Sequence, residues 1–323
     1  MDNIAHTLAG FALARAGLSR GGRGTTVAAV IASNLPDADI VTAVFGTASY
    51  LEHHRGITHS VVGGPLLALA LAGLLRLLFR GSRFVPLLVA SLAGIAGHVF
   101  MDLWTTYGTR VLSPFDSTWY AWDLVFIVDP FVWAFLASAI AAEWALRRRG
   151  SPVAAQGAII GLALLGTYVG ARVLLHARAL EETEKVLSVP EVRRMAALPS
   201  PIDPLYWKIL VDAGPDLYSG GIDLRQGGRP LTRRAKRPED AVVAQVRESS
   251  PAAAVFLDFS RFPWLEVVES PEGWTVSWRD LRFEEVPGMI GGDRSTRSPR
   301  RDGFVARVVL GPDGRIRSES IRF

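Results

Sequence analysis

Before about residue 175 the chain is a succession of apolar runs, and several of those runs carry histidines and aspartates. A helix needs roughly 20 apolar residues to cross about 30 Å of hydrocarbon, and it must satisfy its own backbone N–H and C=O groups there. Three runs meet that length: residues 61–79, 84–104 and 152–175. A fourth, 124–146, is similar but carries Asp129 near its start and Glu143 near its end. Two weaker segments come first. Residues 4–18 are short and amphipathic, and residues 25–45 are interrupted by Asn34-Leu35-Pro36-Asp37. Proline lacks an N–H and disfavours helix in the residue before it, so a break is expected there. Such a break is tolerated at membrane depth where it lines a polar cavity. Together with a mean hydropathy of +0.24, these runs predict a polytopic α-helical membrane domain over residues 1–178.

After that point the character changes. Residues 179–197, rich in Glu and Arg, read as an exposed helix. Segments 264–269, 274–278 and 304–310 hold β-branched and aromatic residues in partial alternation, separated by the turn signals Pro271-Glu272-Gly273 and Gly311-Pro312-Asp313-Gly314. Residues 179–323 are therefore expected to form a small, mostly antiparallel β-rich (α+β) domain outside the membrane. The stretches 225–237 and 291–301, dense in Gly, Arg, Ser and Pro, read as flexible loops.

The basic pI near 9.7 comes chiefly from arginines that flank apolar runs or scatter through the last third, a pattern of membrane-flanking loops. No nucleic-acid partner is expected from it. The absence of cysteine excludes disulfides, thiolate zinc sites and cysteine nucleophiles. Asp2, His6 and Arg15 make the N-terminus a poor signal peptide, so His6 is expected to stay in the mature chain. Arginines at 20 and 23, at 80 and 83, and at 147–149 place three loops in the cytoplasm by the positive-inside rule. The C-terminal domain then faces outward, as do the loop 53–60, the loop 105–123 and the ends of the segments bearing His6 and His98. The charge rule takes no account of histidine, yet it gathers every polar cluster on one side of an inner membrane.

Five of the six histidines lie within the first 98 residues, in four clusters with aspartates. Ionisable residues are costly in a bilayer and need a partner or a function there. His98 and Asp102 are four apart and share one helix face; outside an apolar span that pattern is more often a buried histidine capped by a carboxylate. Asp37 and Asp39 follow Pro36 in a turn, where one of them is expected to be an N-cap or Asx-turn residue and Asp37 is the stronger ligand. In His53-His54-Arg55-Gly56-Ile57-Thr58-His59-Ser60, His54 and His59 flank a glycine that permits close approach of the backbone to a ligand. Arg55 suits an anionic oxygen or a lipid headgroup. Thr58 and Ser60 are expected to support the histidines, and His53 to be exposed or supporting. His6 taken alone is an interfacial histidine. Any of Asp116, Asp123 and Asp129 is a candidate to close the site, and most of them are expected to cap the following helix or to bond ligand histidines.

The motifs Asp2-Asn3-Ile4-Ala5-His6-Thr7, Asn34-Leu35-Pro36-Asp37-Ala38-Asp39, the His53–Ser60 segment and Gly97-His98-Val99-Phe100-Met101-Asp102-Leu103-Trp104-Thr105-Thr106-Tyr107-Gly108-Thr109, in that order over about residues 1–130, resemble the YdjM/YbcI-type bacterial inner-membrane proteins. Ser200-Pro201-Ile202-Asp203-Pro204-Leu205-Tyr206-Trp207 resembles the start of that family's trailing domain. The resemblance implies a metal-dependent hydrolase with His6, Asp37, His54, His59, His98 and Asp102 as the polar core of the site. Mixed imidazole and carboxylate donors suit zinc first and manganese second. The expected reaction is cleavage of an ester or phosphoester, in a lipid headgroup or elsewhere, by metal-activated water, with Asp37, Asp39 and Arg55 as its catalytic groups. Membrane lipids are the expected surroundings. The alternative is a non-enzymatic membrane protein whose metal is structural, or which binds or transports a divalent ion.

Overall fold

The computed structural model describes residues 1–189, 191–228, 230–284 and 303–322. They fall into two units, Met1–Ile40 with His54–Leu175, and Val41–His53 with His176–Phe323. Along the chain run α1 (Asn3–Ala16), α2 (Thr25–Ala32), α3 (Thr47–His53), α4 (Gly63–Leu78), α5 (Phe84–Leu103), α6 (Pro130–Arg148) and α7 (Ala154–Val186), with 3-10 helices at Leu35–Phe45 and Ile57–His59.

In the helical unit the starts have visible causes. The Asp2 carboxylate accepts from the Ile4 and Ala5 N–H groups at 3.0 and 3.1 Å and caps α1. Asp129 does the same for α6 through Phe131 and Val132, with Pro130 at the first helical position. Asp116 instead accepts from Thr118 within its own loop. Helices α2, α4 and α5 meet through small residues: Ala28, Ala29, Ala32, Ala68, Ala72 and Ala90 are all fully buried. A Cβ on Gly94 would lie 2.6 Å from the Ala29 carbonyl oxygen and 2.7 Å from Ala32 Cβ, so α5 approaches α2 at backbone distance. That approach sets the end of α2 beside the lower half of α5, where His98 and Asp102 project.

Helices Phe84–Leu103 and Ala154–Val186 are each long and apolar enough to cross a membrane. Two broken pairs, Thr25–Ala32 with Leu35–Phe45 and Thr47–His59 with Gly63–Leu78, qualify only together, which raises the count to four if each pair is one span. The run 61–79 yields α4 of 16 residues, short of a full crossing by itself. The helix expected over 179–197 does not stand apart. Helix α7 continues through it to Val186, because nothing after Leu175 breaks it and Lys185 pairs with Glu181 and Glu182 at 2.8 and 3.0 Å. The chain is a strand from Arg194.

The second unit holds two antiparallel sheets. The first contains β1 (Arg194–Pro199), β2 (Tyr206–Asp212), β3 (Asp216–Asp223) and β4 (Gly227–Gly228) in that order, with β5 (Thr232–Ala235) also paired to β3. The second is a meander of β6 (Pro263–Ser270), β7 (Gly273–Asp280), β8 (Val305–Leu310) and β9 (Ile316–Arg322). Pro271-Glu272 falls between β6 and β7, which begins at Gly273, and the turn signal at 311–314 falls between β8 and β9. The flexible loop expected over 225–237 is corrected in part, since Leu217 pairs Arg234 and Ser219 pairs Thr232 in the ladder. Cross-strand pairing supplied by β3 overrides a composition poor in β-formers. The loop expected over 291–301 lies outside the described residues. Helices α8 (Ala241–Ser249) and α9 (Pro251–Phe259) complete the unit, and α3 packs on α9 and β9.

Lys208 on β2 is buried, and its Nζ donates to the Leu281, Arg282 and Glu284 carbonyls. Burial pushes its ammonium down from 10.5 to about 8. Between those values the unfolded chain still holds the proton that the folded domain has released. The penalty of the buried charge is thus full below pH 8 and is relieved as pH rises towards 10.5. The stability difference between wild type and Lys208→Met is expected to shift in favour of wild type by about 1–3 kcal/mol from pH 7 to pH 10. Urea midpoints of the full chain measured across that range check it; a flat difference would remove Lys208 as the cause.

Candidate metal centre

The polar residues of the helical unit gather where helices stop. At the end of α2, Ser33 Oγ bonds the Ala29 carbonyl at 2.8 Å and Asn34 Nδ2 bonds the Val30 carbonyl at 2.9 Å. Pro36 then offers no N–H, and the chain passes into the 3-10 helix that carries Asp37 and Asp39. The terminal carbonyls of α2 are left for other donors. The Ser33 carbonyl takes one, His98 Nδ1, at 2.8 Å.

Asp39 organises the histidine loop. Its Oδ1 accepts from His54 Nδ1 at 2.7 Å, and its Oδ2 accepts from the Arg55 N–H at 3.0 Å and the Thr58 hydroxyl at 2.9 Å. These bonds hold Arg55 at φ 57°, a left-handed conformation rare for a residue with a side chain. The strained position is therefore Arg55 and not the neighbouring Gly56, whose φ is −92°. Gly63 closes the loop from below, where a Cβ would fall 1.8 Å from the Ile57 carbonyl oxygen.

Four ligand atoms converge. His98 Nε2 and His59 Nε2 are 3.1 Å apart. Asp102 Oδ2 lies 3.3 Å from His98 Nε2 and 3.4 Å from His59 Nε2. Asp37 Oδ1 lies 3.5 and 3.3 Å from the same two nitrogens. Corners of a tetrahedron whose centre is 2.0–2.1 Å from each, as in zinc sites, are about 3.3 Å apart. Neither Asp37 Oδ1 nor Asp102 Oδ2 has a hydrogen-bond partner among the described residues.

Hydrogen-bond partners assign the tautomers. The Ser33 carbonyl can only accept, so His98 Nδ1 carries the hydrogen and His98 Nε2 a lone pair. The Thr58 hydroxyl gives its hydrogen to Asp39, so its oxygen accepts from His59 Nδ1 at 2.9 Å. His59 Nε2 also bears a lone pair. Two imidazole lone pairs and two carboxylate oxygens thus face one point, an arrangement that repels itself without a cation. The residues fit a divalent metal.

Around this group the other expected residues take distinct places. Asp102 Oδ1 accepts from Arg55 Nη2 at 2.9 Å and contacts the Met1 nitrogen. Arg55 Nη1 reaches Thr105 Oγ1 and the Gly108 carbonyl, and its guanidinium lies over the Tyr107 ring at 4.7 Å. The Arg55 side chain is 3% exposed, so it faces inward to Asp102. His6 stacks on His98 with ring centroids 3.7 Å apart and has Nε2 at 3.4 Å from Asp102 Oδ1. It packs on the group from outside the four corners. His54 belongs with Asp39 and Asp37 in a second, adjoining cluster. His53 is exposed and bonds the Ser49 carbonyl. Only Asp37 of the four is open to solvent, its side chain 17% exposed against 0% for the others. Ser33, which the motifs pass over, contributes through a main-chain oxygen that no side-chain pattern could reveal.

A family model described as YdjM inner membrane protein matches residues 1–179. A Bacillus subtilis (strain 168) protein named "Uncharacterized protein YfhP" is 27% identical over 299 residues, covering 90% of this chain and 83% of its own. No solved structure matches the chain. The match spans more than half of the 323 residues and includes all four clusters that build the centre. The chain belongs to the YdjM inner membrane protein family.

Proposed function

We propose that this protein is a membrane-embedded, metal-dependent hydrolase that cleaves an ester, with phosphoesters the leading class. The observation that carries the reading is the convergence of two imidazole lone pairs and two unpartnered carboxylate oxygens on one point. A divalent cation there supplies Lewis acidity and makes water nucleophilic near neutral pH. His59, His98 and Asp102 would hold it, a two-histidine, one-carboxylate set of the kind catalytic zinc sites use. Zinc is the first expectation and manganese the second. Asp37 stands at the fourth corner, on the solvent side. Its Oδ1 is placed to take a proton from the attacking water and return it to the leaving oxygen. Asp39 orients His59 through Thr58, and Arg55 orients Asp102; both are positioning residues. The loop arginines support a centre at the outer face of the inner membrane with the C-terminal domain outside.

A second reading rests on the same four corners. Zinc held by four protein ligands is closed and structural. Asp37→Asn separates the two. The hydrolase keeps its metal in this variant and loses hydrolysis of bis(p-nitrophenyl) phosphate by about a hundredfold or more. A structural centre sheds its metal with Asp37→Asn, and no metal-dependent hydrolysis appears in the wild type. The second outcome ends the hydrolase reading.

A further inference from the structure

The helical unit has a second polar site at its other end. Arg15 lies nine residues beyond His6 on α1, about 14 Å along the axis at 1.5 Å per residue. There the end of α1, the 3-10 helix Leu18–Gly21, the end of α6 and the start of α7 border a cavity of about 330 Å³ lined by Arg15, Ser19, Arg20, Arg147 and Ser151. That volume is at the small end of ligand pockets.

Arginines in the last turn of a helix have an ordinary use, answering the partial charge of its C-terminal carbonyls. Only part of this set is used up in that way. Glu143, fully buried on α6, takes Arg147 through Nε and Nη2, both at 2.5 Å. Its other oxygen is 3.8 Å from Arg15 Nη1. Arg15 Nε is buried with no hydrogen-bond partner among the described residues. Arg20 is exposed and makes no ion pair among them. Arg15 and Arg147 thus share one carboxylate while Arg20 has none, so the lining of the cavity carries excess positive charge.

The surroundings identify the class of anion. Trp144 on α6 is 52% exposed with the Arg148 guanidinium 4.2 Å above its ring. The outer face of α7 exposes Ile159, Ile160 and Leu164. A tryptophan beside an arginine above an apolar helix face is the composition of the headgroup level of a bilayer. We propose that this cavity binds the phosphate of an anionic glycerophospholipid, with Arg15 and Arg20 as the donors and the acyl chains along α6 and α7. Basic pockets between spanning helices have this capacity, and the guanidinium fork matches two phosphate oxygens. The inference is independent of the chemistry at the metal centre.

The test is native mass spectrometry of the full chain in detergent, titrated with dioleoylphosphatidylglycerol, dioleoylphosphatidylcholine or inorganic phosphate. Wild type is expected to retain phosphatidylglycerol over phosphatidylcholine. Arg20→Gln should weaken that retention about fivefold and Arg15→Gln/Arg20→Gln about 25-fold, following the worth of each basic residue at an anionic surface. Arg20 is exposed and unpaired, so its replacement leaves folding intact, and size-exclusion profiles verify this. Equal retention of the two lipids, or retention unchanged in both variants, overturns the proposal. Displacement of the lipid by millimolar inorganic phosphate also overturns it, by making the ligand a free anion.

Discussion

His59→Ala and His98→Ala each empty the metal centre, and His53→Ala leaves it filled. Elemental analysis of protein purified in detergent without chelator is expected to find about one metal per chain in the wild type and in His53→Ala. Each of the other two variants removes a nitrogen that lies 3.1–3.5 Å from the other three corners, and the remaining donors cannot close on the ion. Loss of a partner behind a ligand costs about 10–100-fold in affinity; loss of the ligand itself should exceed that. Thr58→Val supplies the graded case. It removes the oxygen that fixes the His59 tautomer without touching a corner, so a drop of about tenfold is expected. A wild type that holds no metal after resupply, or variants that hold as much as wild type, would reduce the cluster to buried hydrogen bonding.

Asp102→Ala is expected to destabilise the helical unit by about 3–5 kcal/mol, because it strands a buried cation. Asp102 is fully buried and Arg55 nearly so, and their 2.9 Å contact is the charge partnership that keeps the guanidinium inside. Replacing both partners by apolar residues of similar volume removes the part of the penalty that the guanidinium carries. Arg55→Met/Asp102→Leu should therefore melt closer to wild type than Asp102→Ala does, while still binding no metal. Thermal unfolding in detergent, with metal content measured on the same samples, separates the two roles of Asp102. A double variant as unstable as the single one would show that the ion pair is not what holds this part of the unit together.

Much of this centre could be read along the chain because its parts are local. His98 and Asp102 are four residues apart, about one turn of helix, so the two share a face wherever that helix sits. Asn34-Leu35-Pro36 ends α2 by removing an N–H and offering side-chain amides to its carbonyls. The turn residues at 271–273 and 311–314 mark where strands reverse for equally local reasons.

Other features required the assembled molecule. Arg55 reads as a surface anion clamp, but the left-handed backbone imposed by Asp39 turns its guanidinium inward to Asp102. His6 stands in a motif as conspicuous as the rest, but only the folded chain stacks its ring on His98 and sets its Nε2 beside Asp102 Oδ1. The 225–237 stretch looks like a loop because its partner strand, β3, is not visible in its own composition. Periodicity and residue type determined the helical membrane class, the break at Pro36 and the donor chemistry, since each depends on neighbours a few residues apart. Tertiary packing decided which nitrogens and oxygens meet: only the backbone-close contact of α2 with α5 at Gly94 brings the Ser33 carbonyl to His98, and only that bond aims the ring's lone pair at Asp37, His59 and Asp102.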